Sequence, residues 1–563
     1  MTNHTKTREG NMTDEGVPAP EGPANVIETD YVIGQDNIAT RKLGVNLDLH
    51  GTVFTVSSLV ILLFVILTLA LQTEVKPIFD AVFDFVTGNL SWVFLLGSNL
   101  FVLVSVALIF TPLGRVRIGG AHASPEFSYL GWFAMLFAAG MGIGLMFYGV
   151  SEPLTHFGTA MGGVNVEDGV RTDWAPLGAA AGNEQAATSL GMAATILHYG
   201  VHPWGSYAIV GLALAIFAFN KGLPLTMRSM FYPVLKERIW GWPGHAIDIL
   251  AVFATLFGLA TSLGLGASQA TAGLSYLFGV PDTDASMVLL VTGVTAVALG
   301  SILLGVDRGV QRLSQLNLLL ALLLLIFLVV VGPTLLIATG FFENLAAYVV
   351  HLPALSNPFG REDVNFSQGW TAFYLAWWIS WSPFVGMFIA RVSRGRTVRE
   401  FLTAVLFVPT LVAVLWISAF GGTAIDQVVS AGFEDVQDAA LELQLFVMLG
   451  DLPLASITST VGIVLVIVFF VTSSDSGSLV IDSITSGGKV DAPKSQRIFW
   501  AMIEGAIAIA LLLGGGLKAL QSAAVSTGLP FTLVLMVACY ALVKALMSEP
   551  IVDRTYDQAT QTA

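Results

Sequence analysis

The sequence predicts an all-α polytopic membrane protein of 12 transmembrane helices, two lead helices followed by two five-helix blocks of opposite orientation. Three observations predict it. Of 563 residues, 55% are hydrophobic and 11% charged, with a mean hydropathy of +0.76, whereas soluble domains carry about 25% charged residues. Apolar runs of about 20 residues, enough to cross a bilayer, recur twelve times. Lysine and arginine segregate: 21 of the 25 fall on one side of that threading, and four (Lys76, Arg171, Arg361 and Lys518) on the other. Such a bias places the rich side in the cytoplasm, which puts both termini inside and requires an even number of spans.

In chain order, residues 1–50 are polar, with eight acidic and four basic residues, and read as a disordered acidic cytoplasmic tail. No basic segment followed by an apolar core opens the chain, so no cleaved leader is expected. The spans cover about 52–72, 90–111, 129–150, 188–218, 246–279, 285–306, 314–338, 370–390, 399–420, 457–484, 500–517 and 526–547. The fourth, fifth and tenth are long enough to be tilted or broken. Residues 51–128 hold the two lead helices. Residues 339–369 read as an outer amphipathic linker lying on the membrane surface, and 548–563 as a short cytoplasmic tail. The linker separates 129–338 from 370–547, five spans each. Five is odd, so the second block enters inverted, which is the arithmetic of an inverted repeat.

Composition excludes several classes. The single cysteine, Cys539, allows no intramolecular disulfide and no thiolate metal site. His198 and His202 lie four apart, but no carboxylate joins them in sequence, so no metal site is read there. No nucleophile–base pairing points to an enzyme, and no ring of charges points to a channel. No nucleic-acid partner is expected; the partners are the lipid bilayer and a small solute.

Three stretches carry the chemistry. Trp377, Trp378 and Trp381 crowd into five residues well inside a span. Pro383 follows, lacks an amide proton and is expected to disturb the helix just upstream. Irregular backbone at membrane depth must be buried or line a cavity, and indole faces beside it suit a quaternary ammonium. The competing reading is a lipid-interface belt. The opening span of the first block holds Gly140, Gly142 and Gly144 at alternate positions. That spacing disfavours a regular helix and exposes amides for a carboxylate and carbonyls for a cation; close helix packing is the alternative. The two interrupted segments hold matching positions in their blocks, the pattern that marks a transporter's site. In the fourth span, Trp204 and Tyr207 share a face and Tyr199 lies a turn away. In the tenth, Thr472, Ser473, Ser474, Ser476 and Ser478 surround Asp475. Polar groups at that depth are costly unless they bind something, and hydroxyl and carbonyl oxygens suit sodium. Helix packing through serine is the alternative. Asp475 fits either a proton relay or, preferably, the cap of a half-helix.

Gly140–Gly149, Trp377–Arg396 and Thr472–Gly477 together resemble the betaine/choline/carnitine transporter family, and the likeness spans residues 50–547. The resemblance implies a leucine-transporter-like 5+5 inverted repeat preceded by two extra helices, and usually a homotrimer in a prokaryotic cytoplasmic membrane. It implies alternating-access uptake of a zwitterionic compatible solute, glycine betaine first, by sodium symport. The alternative is a sodium-independent or proton-coupled carrier of choline, carnitine or ectoine. Sodium ions are then the coupling ions, and no organic cofactor is implied. By position, Tyr199, Trp204, Tyr207, Trp378 and Trp381 form the ammonium box, with Trp377 on the cytoplasmic path and Met141, Gly142 and Gly144 at the solute. The main sodium site falls on backbone oxygens of Ala138, Met141 and Phe469 and the hydroxyls of Thr472 and Ser473. A second falls on Thr255 and Phe384, with Tyr207. Three positions depart from the family pattern. Tyr199 stands where a tryptophan is common. Leu259 stands where sodium-coupled betaine carriers place a threonine, and it offers no oxygen. Only about 16 residues follow the last span, and Lys544 and Arg554 are the only bases near the end, so the long basic helix of osmosensing members is not expected.

Overall fold

The computed structural model describes residues 17–42, 45–140, 142–164, 166–171, 175–304, 307–489 and 492–551. The molecule is almost wholly helical. Its helices are α1 Gly51–Ala70, α2 Gln72–Phe110, α3 Tyr129–Gly140, α4 Ile143–Gly162, α5 Glu184–Tyr199, α6 Val201–Ala215, the short α7 Tyr232–Leu235, α8 Trp242–Phe278, α9 Asp284–Leu304, α10 Asp307–Val331, α11 Thr334–Leu355, the short α12 Val364–Phe366, α13 Ala372–Val392, α14 Val398–Ala431, the short α15 Asp435–Asp438, α16 Gln444–Gly450, α17 Ala455–Thr485 and α18 Lys494–Leu546. Among the described residues, 11 helical segments are long and apolar enough to cross a membrane.

These segments match the expected spans after three local differences. The third expected span is split into α3 and α4, neither of which counts by itself. The last two expected spans join in α18, which bends where Gly515 and Gly516 leave helical geometry. Gly516 has φ +63° and ψ −141°, a conformation in which a Cβ is strained. The seventh expected span stops early: α10 ends at Val331, and Gly332 and Pro333 turn the chain into α11. Helix α11 therefore takes in the last residues of that span as well as most of the expected linker. Its buried residues Ile337, Gly340, Asn344, Tyr348 and Leu355 lie along one face, at the spacing of an amphipathic helix.

Of the three long spans, only the fourth is broken. Helices α5 and α6 part at Gly200 (φ −91°, ψ −146°), where a Cβ would lie 2.6 Å from the Tyr348 hydroxyl. Helices α8 and α17 are continuous. The expected break at Pro383 is absent too, because α13 runs through it. Proline removes the donor that would have paired with the Ile379 carbonyl, and the Ser382 hydroxyl donates to that oxygen instead, at 2.6 Å.

The bundle is layered by exposure. Helix α6 is buried from His202 to Ala215 and α8 through most of its middle, from Ala251 to Gly273, and both pack against α13. Helices α9, α10 and α11 sit outside and present Leu289, Leu303, Leu319, Leu323 and Val350 outward, as an apolar surface facing lipid does.

The tail expected to be disordered over 1–50 is ordered in its later part. Asn37–Lys42 and Val45–His50 form an antiparallel hairpin, β1 and β2, that pairs Asn37 with His50. A second small hairpin, β3 Val166–Glu167 and β4 Val170–Arg171, follows α4. The first hairpin is held by distant polar partners. Asn37 Nδ2 donates to the Ser486 carbonyl at 2.9 Å, the Asp48 amide donates to Gln496 Oε1 at 2.6 Å, and Lys489 pairs with Asp48. Composition reports none of these contacts. The expected C-terminal tail lies outside the described residues beyond 551.

Candidate functional site

The site begins at the break between α3 and α4. Gly142 is extended (φ −165°, ψ −174°) and precedes α4 with no side-chain cap. The first amides of α4 therefore lack helical acceptors and sit at the positive end of its dipole. Met141 lies outside the described residues. Gly144 is a point of close approach: a Cβ there would lie 3.0 Å from the Trp377 ring. Its carbonyl accepts from the Tyr199 hydroxyl at 3.0 Å. The break at Gly200 places Tyr199 at the end of α5, and Trp204 and Tyr207 follow on α6.

Helix α13 brings its tryptophans to these residues. Trp378 meets Tyr199 at a centroid distance of 5.7 Å and Tyr207 at 5.6 Å, both edge-on, and Trp204 meets Tyr207 at 5.2 Å. Such edge-to-face contacts are favourable for aromatic rings. Four of the five expected box residues are thus one cluster drawn from three helices. Trp381 lies one turn further on and packs instead on Phe384 at 5.3 Å and on Gly258 of α8. Trp377 stacks on Phe373 at 5.5 Å and donates to Ser262 Oγ at 3.1 Å, which fixes it between α8 and Gly144. Three buried donors on these helices, Trp378 Nε1, Trp381 Nε1 and the Tyr207 hydroxyl, have no acceptor among the described residues. Burying a donor unpaired costs about 1–3 kcal/mol, so an anionic or carbonyl acceptor on a ligand would be welcome there.

The expected sodium positions are distributed over the bundle. Phe469, Thr472 and Ser473 share one turn of α17, which packs against α4, α8 and α10. Thr472 Oγ1 donates to the Val468 carbonyl at 3.0 Å and lies 3.4 Å from Asn317 Nδ2. Ala138 lies in the last turn of α3, and no hydrogen bond among the described residues joins it to Thr472 or Ser473. Thr255 Oγ1 donates to Ala251 O at 2.8 Å inside α8. Leu259, a turn later, is fully buried against Gly477 of α17 and brings only carbon to that contact. Asp475 does not cap a half-helix, because α17 is continuous; it accepts from Arg497 at 2.6 Å. Next to it, Ser474 donates to the buried Glu504 at 2.9 Å.

A polar cluster beside the box escaped the sequence reading. Glu152 of α4 lies between His156, at 3.2 Å, and His198 of α5, at 2.5 Å, all three fully buried. His198 also reaches Thr371 Oγ1 at 2.9 Å and stacks on Tyr374 at 4.5 Å. The Tyr374 hydroxyl is 3.2 Å from that of Tyr199, so the cluster adjoins the box. Glu152 and His156 stand four apart on one helical face, which was the legible signal. The sequence pairing of His198 with His202 is misleading, since His202 turns away to Asn99 at 2.8 Å.

Tyr148 and Trp370, in contact at 5.9 Å, lie over both groups. Both residues line a cavity of about 500 Å³, together with Asp84, Thr155, Gln368 and Lys518.

A membrane-crossing bundle with a central helix break and an aromatic, donor-lined site beside it is the architecture of a transporter rather than an enzyme. Residues 52–551 match the BCCT (betaine/carnitine/choline) family of transporters, and the chain belongs to that family. It is 62% identical, over 95% of its length and 97% of the relative's, to a glycine betaine/proline/choline transporter of Vibrio parahaemolyticus serotype O3:K6. The same organism has a glycine betaine transporter 50% identical over 93% of this chain and 98% of the relative. A glycine betaine transporter of Acinetobacter baylyi is 38% identical over 92% of this chain and 76% of the relative.

Proposed function

We propose that this protein imports a zwitterionic compatible solute, glycine betaine or a close analogue, by sodium symport with alternating access. One observation carries the reading. Tyr199, Trp204, Tyr207 and Trp378 form a buried aromatic cluster whose Tyr207 and Trp378 donors lack acceptors among the described residues. Ring faces attract a methylated ammonium. The unpaired donors and the bare first turn of α4 suit the carboxylate of the same molecule. The relatives' names, which include glycine betaine in each case, support this solute class.

Sodium acts at Ala138, Met141, Phe469, Thr472 and Ser473, bridging the α3–α4 break to α17. Coupling is linkage: each ligand raises the other's affinity. Leu259, which brings only carbon, favours one sodium ion over two. The twelve spans form two inverted five-helix units after two lead helices, both termini face the cytoplasm of a bacterial inner membrane, and three copies assemble. A second reading, wider selectivity extending to proline and choline, is favoured by the name of the 62% identical relative.

The test is uptake of radiolabelled glycine betaine into proteoliposomes under an imposed sodium gradient, with potassium replacing sodium as the control. Sodium-driven accumulation that vanishes in Thr472→Ala is expected. Equal accumulation in both salts would refute the symport. Competition by unlabelled proline and choline measures the selectivity.

A further inference from the structure

We infer that Glu152, His156 and His198 form a binding site for a divalent transition-metal ion of the zinc type, separate from the solute box and the proposed sodium site. Their ligand atoms lie within 4.8 Å of one another, and all three side chains are buried. Two imidazole nitrogens and one carboxylate form a donor set found in zinc sites. Sodium prefers oxygen, so the imidazoles select against the coupling ion.

The geometry needs little change to admit an ion. Metal–ligand bonds of 2.0–2.1 Å in a tetrahedral site hold neighbouring ligands about 3.3 Å apart. His156 Nε2 is already 3.2 Å from Glu152 Oε1. His198 Nδ1 is 2.5 Å from the same oxygen, so this pair must open by about 0.8 Å. Glu152 Oε2 is buried with no partner at hydrogen-bond distance among the described residues and is a second oxygen for the ion. The other nitrogen of His198 is anchored to Thr371 Oγ1 at 2.9 Å, the outer contact that orients a metal-binding imidazole. Nor is the site remote from solvent: His156 packs on Trp370 at a centroid distance of 4.9 Å, and Trp370 lines the 500 Å³ cavity.

The consequence is mechanical. Glu152 and His156 belong to α4 and His198 to α5, one residue before Tyr199 of the box. An ion held by all three pins α4 to α5 at the edge of the solute site and restrains any movement between them.

The test uses the full chain, purified in detergent without a tag and stripped by a chelator, so its outcome does not depend on the transport reading. Cobalt(II) is titrated in and its visible absorption recorded, then displaced with zinc. One cobalt per chain is expected, with the intense bands of a low-coordinate nitrogen–oxygen site and full displacement by zinc. His156→Gln, similar in size and still polar, is expected to lose the bands, and Thr371→Val to weaken binding by about 10- to 100-fold. His351→Ala, on α11 and without a hydrogen bond or ring contact to the three ligands among the described residues, should leave the titration unchanged. Gel filtration confirms that each variant is folded. Absence of cobalt bands in the wild type, or bands that survive in folded His156→Gln, would overturn the assignment.

Discussion

Single residues decide the chemistry of the centre. Trp378 is the ring shared by Tyr199 and Tyr207. Trp378→Leu removes its face, and a desolvated cation–π contact is worth about 2 kcal/mol, or roughly 30-fold in affinity. Uptake half-saturation for glycine betaine is therefore expected to rise by about that factor in a variant that still reaches the membrane; an unchanged value would show that the ammonium binds elsewhere. Ser382 has a structural role on the same helix. Its hydroxyl occupies the Ile379 carbonyl that Pro383 leaves without a backbone donor. Ser382→Ala strands that buried oxygen, at a cost of about 1–3 kcal/mol, and should lower the melting temperature in detergent, whereas Ser382→Thr should retain most of the wild-type value. The aromatic residues of the box were legible in sequence because tryptophan and tyrosine are rare enough to stand out. The healing of the proline break was not, because a hydroxyl one residue earlier looks no different from any other serine.

At the scale of elements, the site exists because two spans are interrupted and others are not. Gly142 and Gly200 open the chain between α3 and α4 and between α5 and α6, and residues beside the two breaks meet at the aromatic cluster, where the Tyr199 hydroxyl donates to the Gly144 carbonyl. The glycine run at 140–144 announced the first. The second falls at a solitary glycine, and what makes it necessary is Tyr348 of α11, whose hydroxyl accepts from the Val201 amide at 3.2 Å. The bend in α18 depends likewise on Gly516 at φ +63°. Gly516→Ala forces a side chain into a conformation that costs about 1–3 kcal/mol. A lower melting temperature is expected, with the neighbouring Gly514→Ala as comparison, since Gly514 meets Thr68 by a side-chain methyl 2.8 Å from a built Cβ rather than by backbone strain. Equal stability of Gly516→Ala and wild type would mean that the bend relaxes freely.

At the scale of the molecule, the N-terminal hairpin ties the start of α1 to the loop after α17 and to the start of α18. His50 closes this junction: its ring accepts from the Val53 amide at 3.3 Å and lies beside Arg228. Burial first, and the Arg228 charge second, hold its pKa down to about 3, against about 6.5 in an unfolded chain. Between those values the unfolded chain binds more protons. The stability contributed by the neutral ring is therefore complete above about pH 6.5 and is lost as pH falls toward 3. Asparagine also accepts as a helix cap and does not titrate. The melting temperature of His50→Asn should therefore fall less between about pH 7 and 4.5 than that of the wild type; parallel profiles would refute this account.

The sequence alone determined the class of the molecule, because twelve apolar runs and a one-sided distribution of lysine and arginine are properties of local composition that a bilayer reads directly. It also marked Tyr199, Trp204, Tyr207 and Trp378, whose residue types carry their chemistry wherever they sit. Tertiary structure decided what those residues meet. Only folding brings Glu152 to His198 across 46 positions, sends His202 to Asn99, seats Leu259 against Gly477 and orders the N-terminal hairpin on Ser486 and Gln496. The physical reason is common to all of these. Hydropathy and helical period act over a few turns of one segment, whereas a buried polar group must find its partner wherever the packing of separate helices puts one.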